Sequence, residues 1–419
     1  MSPRSTRWIH AVHKWTGLII GINVLLFSVT AAYLLVDEMA HQYLEHGKAE
    51  ENVPLDPAKR LPLQPAIDQI ETHFASVPGV VGRVIPAHFV GDLDRLLVVA
   101  GRGNYLIYER DPYTGALALE KGTLPEGIAP IGEAGPGATE ETASLAVQIS
   151  DFMLHLHAEL FLEIWGTLLV GTLGVIFLVS TITGWIIYGP FMKAMAFGFI
   201  RQGRALHLRM ADMHKLVGIA ALAFNLLMAV TGIGLTFGIF GIQFQVMADL
   251  KESEAAMGGF EKADPLPSFD TVWAQAQSLY PDQYVSRIDF PVAEAIQGDR
   301  VYSSYAEPNP RDPGLFPGIG IITAEAAPRA QHYPLAWWMK AILVGGRLHT
   351  GALGGNLVLL AYLFLSLSSG FLSVSGYVMY IAKWRKARRA KAQSACAVTE
   401  EVDESVLPES AAAFSIERG

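Results

Sequence analysis

The sequence predicts an integral membrane protein: an all-α bundle of four transmembrane helices with two α+β domains outside the cytoplasm, built by internal duplication. Three observations predict it. The chain has four long apolar runs, its Lys and Arg fall on one side of them, and one histidine-bearing segment pattern occurs twice.

The apolar runs carry the class. Of 419 residues 51% are hydrophobic and 17% are charged, whereas a soluble chain usually has about a quarter charged. Trp15 to Val36, Leu160 to Tyr188, Leu216 to Phe240 and Leu353 to Ile381 each exceed the roughly 20 residues that cross a hydrocarbon core. The first is too long for the apolar part of a signal peptide and reads as an uncleaved anchor.

Orientation follows from the cations. Arg4, Arg7 and Lys14 precede the first run, and Lys193, Arg201, Arg204, Arg209 and Lys215 lie between the second and third. Lys383, Arg385, Lys386, Arg388, Arg389 and Lys391 follow the fourth. All three clusters fall on one side, which the positive-inside rule makes the cytoplasm. Asp37, Glu38, Asp151, Asp249 and Glu252 mark the opposite flanks. The expected layout has transmembrane helices over 8–36, 152–190, 214–240 and 346–383. Outer domains then cover 40–150 and 241–345, a cytoplasmic loop covers 191–213, and a cytoplasmic tail covers 384–419.

Each outer segment is too long for a plain loop. The first has an amphipathic stretch from Leu63 to Phe74, then β-like runs at Val80–Ile85, Leu96–Val99 and Tyr105–Tyr108. A turn, Asp111-Pro112-Tyr113-Thr114-Gly115, follows. The second repeats the order: a helix around Asp270–Ser278, then runs at Tyr284–Phe290 and Val301–Tyr305. Pro125 to Pro136, rich in Gly and Pro, reads as a linker, and the polar tail beyond Lys391 as disordered.

The duplication is clearest in the membrane runs. His13-Lys14-Trp15-Thr16-Gly17 aligns with His214-Lys215-Leu216-Val217-Gly218, and Val29-Thr30 with Val230-Thr231. His157 and His349 each precede a glycine, Gly184 and Gly376, by 27 residues; Thr183 then matches Ser375, and Tyr188 matches Tyr380.

Topology pairs these histidines by depth. His13 and His214 begin helices that start in the cytoplasm, and His157 and His349 begin helices that start outside. Two facing imidazoles in a helical bundle form a bis-histidine haem site. A run of 22 residues is about 33 Å long, so two haem b groups would sit toward opposite faces and form an electron path.

Competing readings are weaker. An isolated interfacial histidine is ordinarily a polar residue at headgroup level, which suits His10, His207 and His155. His155 is the alternative to His157, two residues away and on nearly the opposite helix face. His41, His46, His73, His88 and His332 read as ordinary surface or core residues, and Met153, Met210 and Met213 as packing. Zinc wants four ligands at one point, and each face offers two histidines. Cys396 stands alone, which excludes an internal disulfide, a Cys-ligated cluster and covalent c-type haem. Asp212 reads as a helix cap or an imidazole partner, and Arg347 as suited to a haem propionate or as a flanking anchor. The net charge of −9 argues against nucleic acid as a partner.

The segments H-K-W-T-G, D-M-H-K-L-V-G, L-H-A-E-L at 156–160 and R-L-H-T-G at 347–351 resemble the PepSY-associated transmembrane proteins, and D-P-Y-T-G-A-L at 111–117 resembles the PepSY module. The resemblance covers about residues 4–390. It implies a bacterial inner-membrane di-haem protein with periplasmic PepSY-like domains, similar in some members to ferric-siderophore reductases. The implied haem ligands are His13, His214, His157 and His349. The second outer domain lacks a clean copy of the turn, and no flavodoxin-like or nicotinamide-binding domain is fused.

The expected activity is therefore a haem-dependent transmembrane oxidoreductase without catalytic acid–base residues. A separate donor, quinol or cytoplasmic reductase, would feed it, and a ferric siderophore or another periplasmic acceptor would drain it. Trp337, Trp338 and Tyr333 read as an interfacial aromatic belt or the lining of an acceptor site. The alternatives are a non-redox periplasmic binding or regulatory protein, a quinone-linked cytochrome b, or a transporter. A transporter should carry midplane charges, and Glu163 has no counterpart in the fourth run.

Overall fold

The computed structural model describes residues 3–46, 53–75, 79–100, 105–122, 124, 131–134, 145–192, 200–201, 205–256, 260–292, 299–310 and 314–405. Four of the described helices are long and apolar enough to cross a membrane: α1 (Pro3–His46), α4 (Glu163–Met192), α6 (Leu222–Ala256) and α9 (Gly355–Ser405). Their apolar spans are Arg4–Ala40, Glu163–Gly189, Leu222–Asp249 and Gly355–Gln393.

Three of the four expected helices are interrupted. The second is preceded by a separate helix, α3 (Leu145–Ala158), the third by α5 (Leu206–Ala220) and the fourth by α8 (Trp337–Thr350). Gly351 ends α8 at φ 76°, a left-handed C-cap whose N–H returns to the Arg347 carbonyl. The corresponding break before α4 uses Leu160, Phe161 and Glu163 at φ 52°, 57° and 51°, values that cost side-chain-bearing residues local strain. His157 and His349 thus end short helices rather than begin long ones.

The chain forms two compact units. The first comprises Met1–Val29, Ile176–Leu226 and Phe364–Gly419. Its helices meet through small and hydroxylated residues, the usual basis of helix association in lipid. Ser28 accepts the Gly370 N–H at 3.1 Å, Ser369 donates to Asn225 Oδ1 at 2.6 Å, and Tyr377 donates to the Leu18 carbonyl at 2.8 Å.

The second unit, Thr30–Val175 and Leu227–Leu363, carries a nine-stranded sheet. Its strands are β1 (Gly79–Ile85), β2 (Asp94–Ala100), β3 (Tyr105–Arg110), β4 (Leu117–Lys121), β5 (Glu133–Ala134), β6 (Tyr284–Asp289), β7 (Val301–Glu307), β8 (Gly318–Thr323) and β9 (Ala330–His332). The order is β5-β4-β3-β2-β1-β6-β7-β8-β9, antiparallel except for β4–β5. The expectation of two separate α+β domains is corrected here. The β1–β6 pairing, Arg83 with Asp289 and Val84 with Ile288, joins both outer segments into one sheet.

One face of that sheet is covered by two amphipathic helices, α2 (Gln64–His73) and α7 (Phe269–Leu279). Ala66, Ile67 and Ile70 of α2, and Phe269, Val272 and Ala276 of α7, are buried at helical spacing and share a core with Leu96, Val98, Leu106, Tyr108 and Ile288. The two helix starts exchange contacts: Asp270 accepts the N–H groups of Leu63 and Gln64 at 3.1 and 3.3 Å, and the Gln64 side chain accepts from Phe269. Helix ends buried together need such partners for their orphan N–H groups.

The Asp111–Gly115 turn forms as expected from its residues. Asp111 Oδ1 accepts the N–H groups of Thr114 and Tyr113, both at 2.8 Å, and Gly115 sits at φ 73°. Those bonds, with the one from Thr114 foremost, hold the Asp111 carboxyl below its ordinary range. The proposed linker is described only at 131–134, where β5 lies, and Lys193 and Arg204 lie outside the described residues. Helix α9 continues to Ser405, so the tail expected to be disordered from Lys391 is helical for its first part; 406–419 lie outside the described residues.

Candidate functional site

Each unit contains one histidine pair. In the first unit His13 of α1 meets His214 of α5, with ring centres 6.4 Å apart and planes at 70°. In the second unit His157 of α3 meets His349 of α8, at 6.3 Å and 60°. His155 is not part of this geometry. It is exposed and bonded through Nδ1 to Glu159 at 2.5 Å, with Asp151 at 3.8 Å.

All four rings are held by Nδ1. His13 Nδ1 donates to the Ser180 carbonyl at 2.9 Å, and His214 Nδ1 meets Ser375 Oγ at 2.8 Å. His157 Nδ1 meets Thr30 Oγ1 at 2.8 Å, and His349 Nδ1 meets Thr231 Oγ1 at 2.9 Å. These partners fix the tautomer. A carbonyl can only accept, so His13 carries its proton on Nδ1. Ser375 donates its own proton to the Leu372 carbonyl at 3.0 Å, and Thr231 donates to Leu227 at 2.6 Å; both hydroxyls therefore accept from their histidines. In His13, His214 and His349 the Nε2 lone pair is left as the ligating atom.

The spacing suits one metal ion per pair. Metal–imidazole bonds are about 2 Å, and each ring centre lies about 1 Å behind its nitrogen, so a shared ion places the centres roughly 6 Å apart. The observed separations match that distance. Among the described residues no group of three or more His, Cys, Asp or Glu converges as a polydentate metal site would require.

A cavity of about 810 Å³ adjoins the first pair, touching both His13 and His214. Its walls are mostly apolar and include Gly17, Gly21, Gly184 and Gly376; Arg7, Lys14, Lys215 and Lys383 also line it, and among the described residues no carboxylate does. An apolar body with anionic groups is the ligand this lining complements. Sequence reasoning had assigned those cations to membrane orientation alone. It had also used Thr30, Thr231 and Ser375 only as repeat landmarks, and missed the Ser180 carbonyl, which no side-chain pattern can announce.

Other expected residues are placed elsewhere. Among the described residues Asp212 neither caps a helix nor meets an imidazole. It is buried and takes the Arg201 guanidinium at 2.8 Å through both Nε and Nη2, which lowers its pKa. Arg347 acts electrostatically on Glu307 of β7, whose pKa burial nevertheless raises. Tyr333 is buried and donates to Asp249 at 2.7 Å, whereas Trp337 is exposed. His88 is half-buried against Tyr284 and Trp273, and His332 is exposed beside Tyr280.

Fold and site together define a membrane protein with four candidate spanning helices, an antiparallel sheet and a paired-imidazole site in each unit. The chain belongs to the PepSY-associated TM region family, whose model matches residues 10–383. No curated protein matches it significantly.

Proposed function

We propose that this protein is a di-haem b reductase of the bacterial inner membrane. It would take electrons from a separate quinol or cytoplasmic reductase and deliver them to a periplasmic acceptor, a ferric siderophore, whose Fe(III) becomes Fe(II). The observation that carries the reading is the geometry of the two pairs: ring centres 6.4 and 6.3 Å apart, each ring anchored through Nδ1. A non-covalently held haem b could be ligated by two such histidines, without any cysteine attachment.

His13 and His214 would hold one haem, and His157 and His349 the other. The apolar cavity walls at the first pair favour the macrocycle, and Arg7, Lys14, Lys215 and Lys383 favour its two propionates. Arg347 is the corresponding cation near His349. A bound haem supplies one-electron transfer. The chain would hold the ligands His13, His214 and His349 in one tautomer, with Nε2 free for iron.

The remaining parts of the reading rest on sequence pattern. The Lys and Arg clusters favour cytoplasmic termini and a periplasmic sheet. The matched segments favour a duplicated ancestor, as do the β1–β6 seam and bulges at matching places, Val81/Arg83 in β1 and Val285/Arg287 in β6. The nine-stranded sheet would present the acceptor surface that an electron conduit alone does not need. The siderophore itself is favoured by family resemblance.

Purification from haem-replete cells tests the proposal directly. The expected product is red, with two haem b per chain and a bis-imidazole low-spin spectrum. A colourless protein overturns it.

A further inference from the structure

The two units anchor their imidazoles with different acceptors: helix carbonyls and Ser375 in the first, two threonines in the second. Aligning the repeats equates Ser375 with Thr183, so the sequence would have Thr183 receive His13 as Ser375 receives His214. It does not. Thr183 Oγ1 donates to the Val179 and Ser180 carbonyls, at 2.7 and 3.0 Å, and His13 bonds to the Ser180 carbonyl itself. Thr30 and Thr231, also equated by the repeat, both meet their histidines.

We infer that Thr30, Thr231 and Ser375 are positioning residues that tune the redox potentials of the two proposed haems, with Thr183 excluded from that role. This rests on the di-haem reading. The three hydroxyls are buried, at 1%, 8% and 0% exposure, so no water competes strongly for the Nδ1 proton. An acceptor at Nδ1 gives the imidazole partial imidazolate character and makes Nε2 a stronger donor, which favours the ferric state. Polarisation strengthens the acceptor: Ser375 and Thr231 each donate onward to a helix carbonyl. Deleting an acceptor therefore weakens donation to iron and raises the potential.

The consequence is asymmetric. At the His157–His349 site both anchors are side chains, so two independent substitutions reach its potential. At the His13–His214 site Ser375 is the side-chain anchor among the described residues; the Ser180 carbonyl holds His13, and the Leu372 carbonyl also serves His214.

Optical redox titration of the purified full-length protein tests this, with each midpoint assigned through His13→Ala and His349→Ala, which leave one haem each. Thr30→Val and Thr231→Val should each raise the midpoint of the His157–His349 haem and leave the other unmoved. Ser375→Ala should raise only the His13–His214 midpoint. Thr231→Ser should restore the wild-type value, which a merely structural role for the side chain's bulk would not do. Thr183→Val should raise neither; by freeing the Ser180 carbonyl from a competing donor, it can only lower the His13–His214 midpoint. If Thr231→Val loses its haem, Thr30→Val and Ser375→Ala still decide, since each removes an acceptor from a different ring. Unmoved midpoints with both haems retained overturn the inference and leave the di-haem reading intact. Haem absent from the wild type instead overturns that underlying reading.

Discussion

Gly184 of α4 faces the imidazole of His13 so closely that a Cβ built on it would lie 2.9 Å from Cε1 and 3.3 Å from Nδ1 of the ring. The glycine is thus a packing requirement of the first pair. Gly184→Val should displace His13 and, on the proposed di-haem reading, reduce the haem content from two to one per chain, read by pyridine haemochrome assay. Gly189, whose Cβ would meet nothing within 4 Å, provides the control, and Gly189→Ala should keep both haems.

Ligand substitutions should divide by unit. His13→Ala or His214→Ala should remove one haem, and His157→Ala or His349→Ala the other. His155→Ala should leave both, because its ring bonds to Glu159 on the exposed face of α3. Loss of the same haem from His13→Ala and His349→Ala would break the pairing.

The sheet is expected to depend on one buried carboxylate. Asp94 is fully buried and accepts from both Arg60 and Arg110, the latter at 2.8 Å, and from the Ala87 N–H at 2.8 Å. Asp94→Ala strands two guanidinium groups at the core edge, a loss of about 3–5 kcal/mol by analogy with broken buried pairs. Thermal melting in detergent should register it as a lower transition temperature.

His88 makes the same unit sensitive to acid. Burial is the largest cause lowering its pKa from 6.5, and Nε2 already donates to the Val285 carbonyl at 2.8 Å. A histidine whose folded pKa is depressed resists protonation, so its contribution is fully present above 6.5. That contribution falls as pH drops below that value, until the folded form also protonates. Melting temperature should therefore decline as pH falls below about 6.5, and His88→Gln, which keeps a donor for Val285, should flatten that slope.

Much of this architecture is legible in the residues. The spanning runs, α2, α7 and five of the strands carry their own periodicity, as Leu106, Tyr108 and Arg110 do by alternating inward along β3. The four histidines were found because the repeat places them at matched positions. What stayed hidden is non-local. Nothing in β1 or β6 alone announces that Arg83 will pair with Asp289 and fuse two domains into one sheet. The helix break at Leu160–Glu163 has no glycine to signal it, unlike its counterpart at Gly351. Asp212 looked like a cap until Arg201, 11 residues earlier, folded back onto it.

The final prediction concerns direction. Vesicles of known sidedness, with their haems reduced beforehand, should be reoxidised by a ferric siderophore added at the periplasmic face. The Fe(II) formed should be trapped there by a ferrous chelator. The sidedness rests on the Lys and Arg clusters that flank the spanning segments in the sequence, and the choice of face on the proposed periplasmic placement of the sheet. His349→Ala removes the haem nearest the acceptor in this scheme. It should abolish chelate reduction while the His13–His214 haem still accepts electrons from the donor, so the two halves of the path are separated in one variant. Reoxidation confined to the cytoplasmic face would reverse the direction. A fast response to a quinone, with none to any ferric chelate, would replace iron reduction by quinone chemistry while keeping the same four ligands.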